Sequence, residues 1–250
     1  MKVFGFIPAR LESRRFSKKV IKKIFDLPMI EHVRRRAIIS KAFDKIYVVT
    51  NSVRVKRIIK TFGGNAILTK YKHFNGTSRV SEISNKYNFN YGFILFGDEP
   101  FINPKQINEC VKKIKRSRSK VFNVITNLKK NDINSSQIVK AKIDKNKFIV
   151  DYFRIEKKKN KIDNLKKSSG ILILSKHLLN KFKYLKVKQR EKKYKIEQFR
   201  FLENNIKVKS IYIKNINPSI NTKEEWKTVI SNIKRNKKEM MLVKKVKNLI

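Results

Sequence analysis

The feature that most constrains this chain is an alternation in its N-terminal part, where short apolar β-rich runs are separated by stretches with helical spacing. Val3 to Ile7 reads as a buried strand closed by Pro8, Ile46 to Thr50 as a second, and Asn65 to Leu68 as a short third. Phe93 to Phe96 reads as a fourth, running into Gly97-Asp98-Glu99-Pro100. Between them, Leu27-Pro28-Met29 opens a helix with Pro in its first turn, and Ile30, Val33, Ala37 and Ile38 recur at helical spacing behind it. Asn51 or Ser52 caps the next helix, which Gly63-Gly64 closes. Strand, helix, strand at this spacing predicts an α/β domain with a mainly parallel central sheet and right-handed crossovers.

The middle of the chain changes character and predicts a small β-rich insertion. Val121 to Leu128, Ile138 to Ile143 and Phe148 to Phe153 read as strands with polar turns between them. Glu156 to Lys167 reads as a lysine-rich loop, and Ile171 to Leu174 as a further strand. Lys195 to Asn204 is expected to be helical and Val208 to Ile213 to form the last strand. Thr222 is placed to cap a final helix, with Glu224 and Glu225 in its first turn. The expected domain is 1–232, and 233–250 is a basic tail, either a helical extension or a frayed end.

A chain of 250 residues with 40% hydrophobic residues can bury a real core. No apolar run reaches the roughly 20 residues of a membrane helix, and the N-terminus turns polar too soon for a signal peptide, so a cytoplasmic protein without membrane insertion is expected. The single cysteine, Cys110, allows no internal disulfide and reads as a buried small hydrophobe. The net charge of +44 comes from lysines and arginines, and the lysines are spread along the whole chain. Lys, Asn and Ile, all with AT-rich codons, are abundant together, so composition explains the charge and no specific nucleic acid is expected. A positive field would still favour polyanions such as nucleoside triphosphates.

In open α/β sheets, ligands bind at the carboxyl ends of the strands. Three segments fall there. The loop from Pro8 to Lys19 carries Arg10, Ser13, Arg15 and Lys19, groups that suit a triphosphate, although a basic loop alone is ordinary on so basic a chain. Asn75-Gly76-Thr77-Ser78-Arg79 is a helix start able to offer backbone N–H groups to a nucleotide, or simply a cap. Gly97-Asp98-Glu99-Pro100 places carboxylates after a buried strand, as Mg²⁺ would need, or is a polar turn.

Taken together, Ile7-Pro8-Ala9-Arg10, Ser13, Arg15-Phe16 and Lys19 resemble the opening signature of the CMP-Kdo synthetases, the 3-deoxy-manno-octulosonate cytidylyltransferases. Leu27-Pro28-Met29-Ile30, Gly76-Thr77 with Arg79-Val80 and Glu82, Gly97-Asp98-Glu99-Pro100, Ile196-Glu197 and Asn221-Thr222 follow in the family's order. The resemblance implies a Rossmann-like nucleotidyltransferase, usually a homodimer, that makes CMP-Kdo and pyrophosphate from CTP and Kdo for lipopolysaccharide or capsule. It also implies Arg10, Arg15 and Lys19 on the phosphates, with Asp98 as a catalytic metal ligand. Ser13, Asn75, Gly76, Thr77 and Arg79 fall on the nucleotide, Glu197 on the sugar acid, and Asp98 with Asn221 on Mg²⁺.

The departures are specific. The family's Pro-Gly before the loop lysine is Ser17-Lys18, its Gln before Gly-Asp-Glu-Pro is Phe96, and its second metal-binding Asp is Asn221. Its His-Leu-Gly appears as Ser168-Ser169-Gly170, and its Glu-Gln after the Ile-Glu helix start is Arg200-Phe201. These leave open CMP activation of another ulosonic or nonulosonic acid, or a non-catalytic CTP- or nucleic-acid-binding relative.

Overall fold

The computed structural model describes residues 1–13, 15–154 and 165–249. Strand β1 (Val3–Ala9) shows how the core is divided. Alternate residues of a strand point to opposite faces. Val3, Ile7 and Ala9 join one buried cluster, and Phe4 and Phe6 join another across the sheet. The strand runs through Pro8 rather than stopping before it. The Phe6 carbonyl accepts from Leu95 N–H, so Pro8, two residues on, faces the same side beyond the last paired residue of that neighbour. Its missing N–H therefore costs no ladder bond.

A two-residue hairpin, β2 (Lys23–Ile24) and β3 (Leu27–Pro28), precedes α1 (Met29–Ile39), so Pro28 stands at the cap rather than inside the first turn. Ile30, Val33 and Ala37 are buried as expected, whereas Ile38 is 37% exposed. Then follow β4 (Lys45–Thr50), α2 (Val53–Thr61), β5 (Ala66–Leu68), α3 (Gly76–Ser84), β6 (Tyr91–Ile94) and α4 (Pro104–Lys115). Ser52, not Asn51, caps α2, accepting from Val55 N–H at 3.3 Å. Gly63 ends that helix at φ +68°, a conformation in which a Cβ is strained.

Next come β7 (Val121–Thr126), β8 (Lys140–Ile143), β9 (Phe148–Phe153), β10 (Leu165–Ser175), α5 (Lys176–Lys181), α6 (Gln189–Tyr194), α7 (Phe199–Leu202), β11 (Val208–Tyr212), α8 (Lys223–Arg235) and α9 (Lys237–Lys247). Of the stretch read as a loop, 156–164 lies outside the described residues, and 165–167 begin β10. The expected helix from Lys195 narrows to α7, because Lys195 adopts φ 54° and closes α6. In the segment read as a tail, α9 buries Val243 in a cluster with Phe101 and Ile220 and buries Val246 as well, which makes it a helical extension.

The nine-stranded sheet has the order β5-β4-β1-β6-β10-β7-β11-β9-β8. From the pairings, β1, β4, β5, β6, β7, β8 and β11 point one way, and β9 and β10 run against them. The sheet is thus mainly parallel in direction, with β8–β9 as the β-rich insertion on its edge. Antiparallel β10 is irregular between Ser168 and Leu172. Buried Asn123 sits under the break and donates to the carbonyls of Ser169 and Ile171 at 3.1 and 3.0 Å, which satisfies groups that the ladder has dropped.

Candidate active site

The loops after β1, β5, β6 and β11 leave one edge of the sheet, because those strands run in the same direction. This edge holds the three segments that the sequence singles out. At its centre is Lys19, which opens a single 3₁₀ turn. Its ammonium lies 2.7 Å from Asp98 Oδ2, 3.0 Å from the Ile220 carbonyl and 3.3 Å from Asn221 Oδ1. Ile220 N–H donates to the Asp98 carbonyl at 2.8 Å and joins the two loops that supply these oxygens. Asn221 Nδ2 donates to Ser219 Oγ at 3.0 Å, which fixes the amide with its oxygen toward Lys19. The structure therefore brings Lys19, Asp98 and Asn221 together. It ties Lys19, expected on phosphates, to the expected metal ligands.

The second cluster surrounds the start of α3. Asn75 caps it, accepting from Ser78 N–H at 2.8 Å, and its Nδ2 donates to Glu191 Oε1 at 3.2 Å. Gly76 is needed for close approach: a Cβ there would lie 2.6 Å from the Phe96 ring and 2.9 Å from Pro8 Cγ. Thr77, expected on the nucleotide, is fully buried, and its N–H and hydroxyl both donate to Glu197, at 3.4 and 3.0 Å. Glu197, expected on the sugar acid, is thus turned toward the first turn of a helix, where unpaired N–H groups favour an acid. Burial pushes its carboxyl up to about 7, against the two Thr77 hydrogen bonds. Arg200 forks onto Glu191 with two 2.6 Å bonds and so completes a buried network under α3.

Phe96 links this cluster to β10. Its ring lies 3.1 Å from where a Cβ on Gly170 would stand, and Glu99 Oε1 lies 2.7 Å from that same point. Glu99 is only 6% exposed, and its Oε2 has no partner among the described residues. Burial, and then the neighbouring Asp98 carboxylate, push its carboxyl up to about 8, against a hydrogen bond from the Gly170 backbone.

The remaining expected residues spread around this edge. Arg79 is buried and donates to Thr69 Oγ1 at 2.9 Å. Burial lowers its pKa, and the charge of Arg10 lowers it further. Arg10 and Arg15 are exposed and Ser13 is half-buried in the loop after β1. Arg15 reaches to the Gln137 side chain ahead of β8, so it lies toward the insertion. Sequence reasoning read Glu99 only as the second of two carboxylates suited to Mg²⁺, and left Glu191, Arg200 and the Ile220 carbonyl without a role. Glu99 stood inside a quoted motif. The other side chains meet across long chain separations, and a backbone carbonyl carries no sequence signal.

Comparisons with known proteins show the family and the fold that carry this site. A family model described as Cytidylyltransferase matches residues 4–245. A 3-deoxy-manno-octulosonate cytidylyltransferase of Thermodesulfovibrio yellowstonii is 32% identical over 221 residues, covering 81% of this chain and 87% of that one. One from Fusobacterium nucleatum subsp. nucleatum is 32% identical over 243 residues, covering 94% and 98%. Among solved structures, a CMP:2-keto-3-deoxy-manno-octonic acid synthetase complexed with CTP superposes with a TM-score of 0.87 at 23% identity, covering 94% of this chain and 99% of that one. A cytidylyltransferase from Leptospira borgpetersenii gives 0.65 at 17% identity, covering 100% and 98%. At these identities the solved structures speak for the fold.

Proposed function

The chain belongs to the cytidylyltransferase family, and with that as premise we propose that it transfers CMP from CTP to the anomeric hydroxyl of 3-deoxy-manno-octulosonate (Kdo). It is a nucleotidyltransferase; the acceptor is the proposed part. One observation carries it: two relatives named for this reaction align at 32% identity over most of the chain. They favour Kdo over another ulosonic acid and catalysis over a purely binding role. The products are CMP-Kdo and pyrophosphate, and CMP-Kdo would feed lipopolysaccharide or capsule assembly.

In this reading the sugar hydroxyl attacks the α-phosphorus, a new P–O bond forms, and the bond to the pyrophosphate oxygen breaks. Most of the protein's work is positioning and neutralising charge. Arg10, Arg15 and Lys19 face the phosphates. Ser13, Asn75, Gly76 and Arg79 line the nucleotide side. Thr77 and Glu197 hold the first turn of α3 in place between nucleotide and sugar acid.

Mg²⁺ is the proposed cofactor. Asp98 and Asn221 would hold it, with the Ile220 carbonyl beside them, and such hard oxygen donors suit it. Among the described residues no group of three or more His, Cys, Asp or Glu forms a metal cage. Mg²⁺ commonly takes one or two carboxylates and fills the rest of its shell with water and substrate phosphates. When bound, Mg²⁺ supplies charge neutralisation on the phosphates. We further propose a homodimer, as the family resemblance implies, acting in the cytoplasm. Among the described residues no helix is long and apolar enough to cross a membrane. The direct test is mass spectrometry of the products from CTP and Kdo. A CMP-Kdo ion that disappears when UTP replaces CTP is expected, and intact substrates after prolonged incubation would contradict the reading.

A further inference from the structure

We propose that in the nucleotide-free protein the Lys19 ammonium stands where a divalent cation would sit, between Asp98, Ile220 and Asn221. The metal enters only with the triphosphate that draws the ammonium away. The inference rests on the reading of this chain as a CTP-using enzyme.

The geometry is that of a satisfied ammonium. Lysine has three N–H donors, and three oxygens lie at 2.7, 3.0 and 3.3 Å. These are hydrogen-bond lengths, well beyond the roughly 2.1 Å that Mg²⁺ demands. The charges agree: Asp98 contributes one carboxylate, Asn221 a neutral amide and Lys19 one positive charge, so the cluster is neutral. The Lys19 and Asp98 side chains are only 11% and 25% exposed, so water weakens their attraction little. A free hydrated cation thus meets a neutral, hydrogen-bonded site with an ammonium already in place. A nucleotide carrying its own metal is different. Its phosphates offer the ammonium new acceptors, the flexible lysine stem lets it follow them, and Asp98 is freed for the metal. This unites the two roles of Lys19: ion-paired before nucleotide arrives, on the phosphates afterwards.

The test uses Mn²⁺ as probe and electron paramagnetic resonance to count free ion, on the full chain and on Lys19→Met and Asn221→Asp. Circular dichroism checks that each folds, and Asn221→Asp keeps every side-chain contact except one donor. Without nucleotide, the wild-type protein should leave the free Mn²⁺ signal nearly unchanged. Both variants should bind Mn²⁺ on the order of ten-fold more tightly or better, one by removing a positive charge and the other by adding a negative one. Adding CTP without acceptor should make the wild type take up Mn²⁺ beyond what CTP binds alone. Wild-type binding as tight as that of both variants would overturn the inference. CTP that binds in equilibrium dialysis without extra Mn²⁺ uptake would overturn entry with the nucleotide. Absence of CTP binding would instead sink the cytidylyltransferase reading and the entry step with it, while the variants still decide the place of the ammonium.

Discussion

Lys18 holds φ 54°, the left-handed region where a Cβ crowds the following carbonyl, at the position where the family resemblance expects glycine. The site loop keeps its backbone shape with a residue that resists it. Lys18→Gly should therefore stabilise the protein by about 0.5–1 kcal/mol, the relieved strain exceeding the added freedom of the unfolded chain. Urea unfolding measures this, and a loss of stability would contradict it. Asp98→Asn removes the carboxylate around which Lys19 and the proposed metal gather. Turnover should fall on the order of a hundred-fold or more in a variant that circular dichroism shows to be folded, a loss beyond what weakening the Lys19 ion pair does to stability. Near-normal activity would sink the site assignment. Glu99 gives a pH signature. A glutamyl group ionises near 4.5 when unperturbed and at about 8 in the folded chain. Between those values the folded state keeps a proton that the unfolded state has released. The Glu99 contribution to stability should therefore fall as pH rises through this window, by at most about 1.4 kcal/mol per unit, and flatten above it. Glu197, raised to about 7, adds a slope of the same sign below that pH. Glu99→Gln should therefore lessen the slope below pH 7 and remove it between pH 7 and 8, and an unchanged slope between pH 7 and 8 in urea titrations would show that Glu99 is not its source.

At the scale of elements, α9 shows what pattern reading reaches and where it stops. Its apolar residues were visible in sequence, yet nothing there said that Val243 and Val246 would be buried or that Arg35 would donate to the carbonyls of Val246 and Lys247. Such docking depends on contacts between distant parts of the chain. The same contact carries an ion pair: Arg36, fully buried on α1, donates to Glu239 on α9 at 3.2 Å and to the Ile102 carbonyl at 3.2 Å. Burial lowers the Arg36 pKa, and Glu239 opposes that shift. Glu239→Ala would leave the guanidinium buried without its counter-ion and should cost about 3–5 kcal/mol in chemical denaturation, a loss under 1 kcal/mol arguing against it. The helix caps tell the opposite story. Ser52, Asn75 and Thr222 were readable because a cap is a local device, one side chain closing on an N–H two or three residues ahead. The irregularity of β10 was not readable, since it is held by Asn123 from another strand and by Glu99 from a loop.

At the scale of the molecule, the parallel direction of the sheet followed from the strand–helix alternation, because crossovers leave few topologies. The course of β10 between β6 and β7 did not, since antiparallel insertion has no local signature. The site divides along the same line. Lys19, Asp98 and Asn221 came from short motifs at strand ends, and the structure joins them. The pairing of Thr77 with Glu197, 120 residues apart, needed the fold. The net charge of +44 belongs to this scale too, as a field that favours a triphosphate and weakens with salt. The measurement that bears most directly on the central claim is pyrophosphate release with Mg²⁺, for each nucleoside triphosphate with and without Kdo. Release that requires CTP and Kdo together is the predicted result. Release with CTP that ignores Kdo, or none under any pairing, would contradict the account.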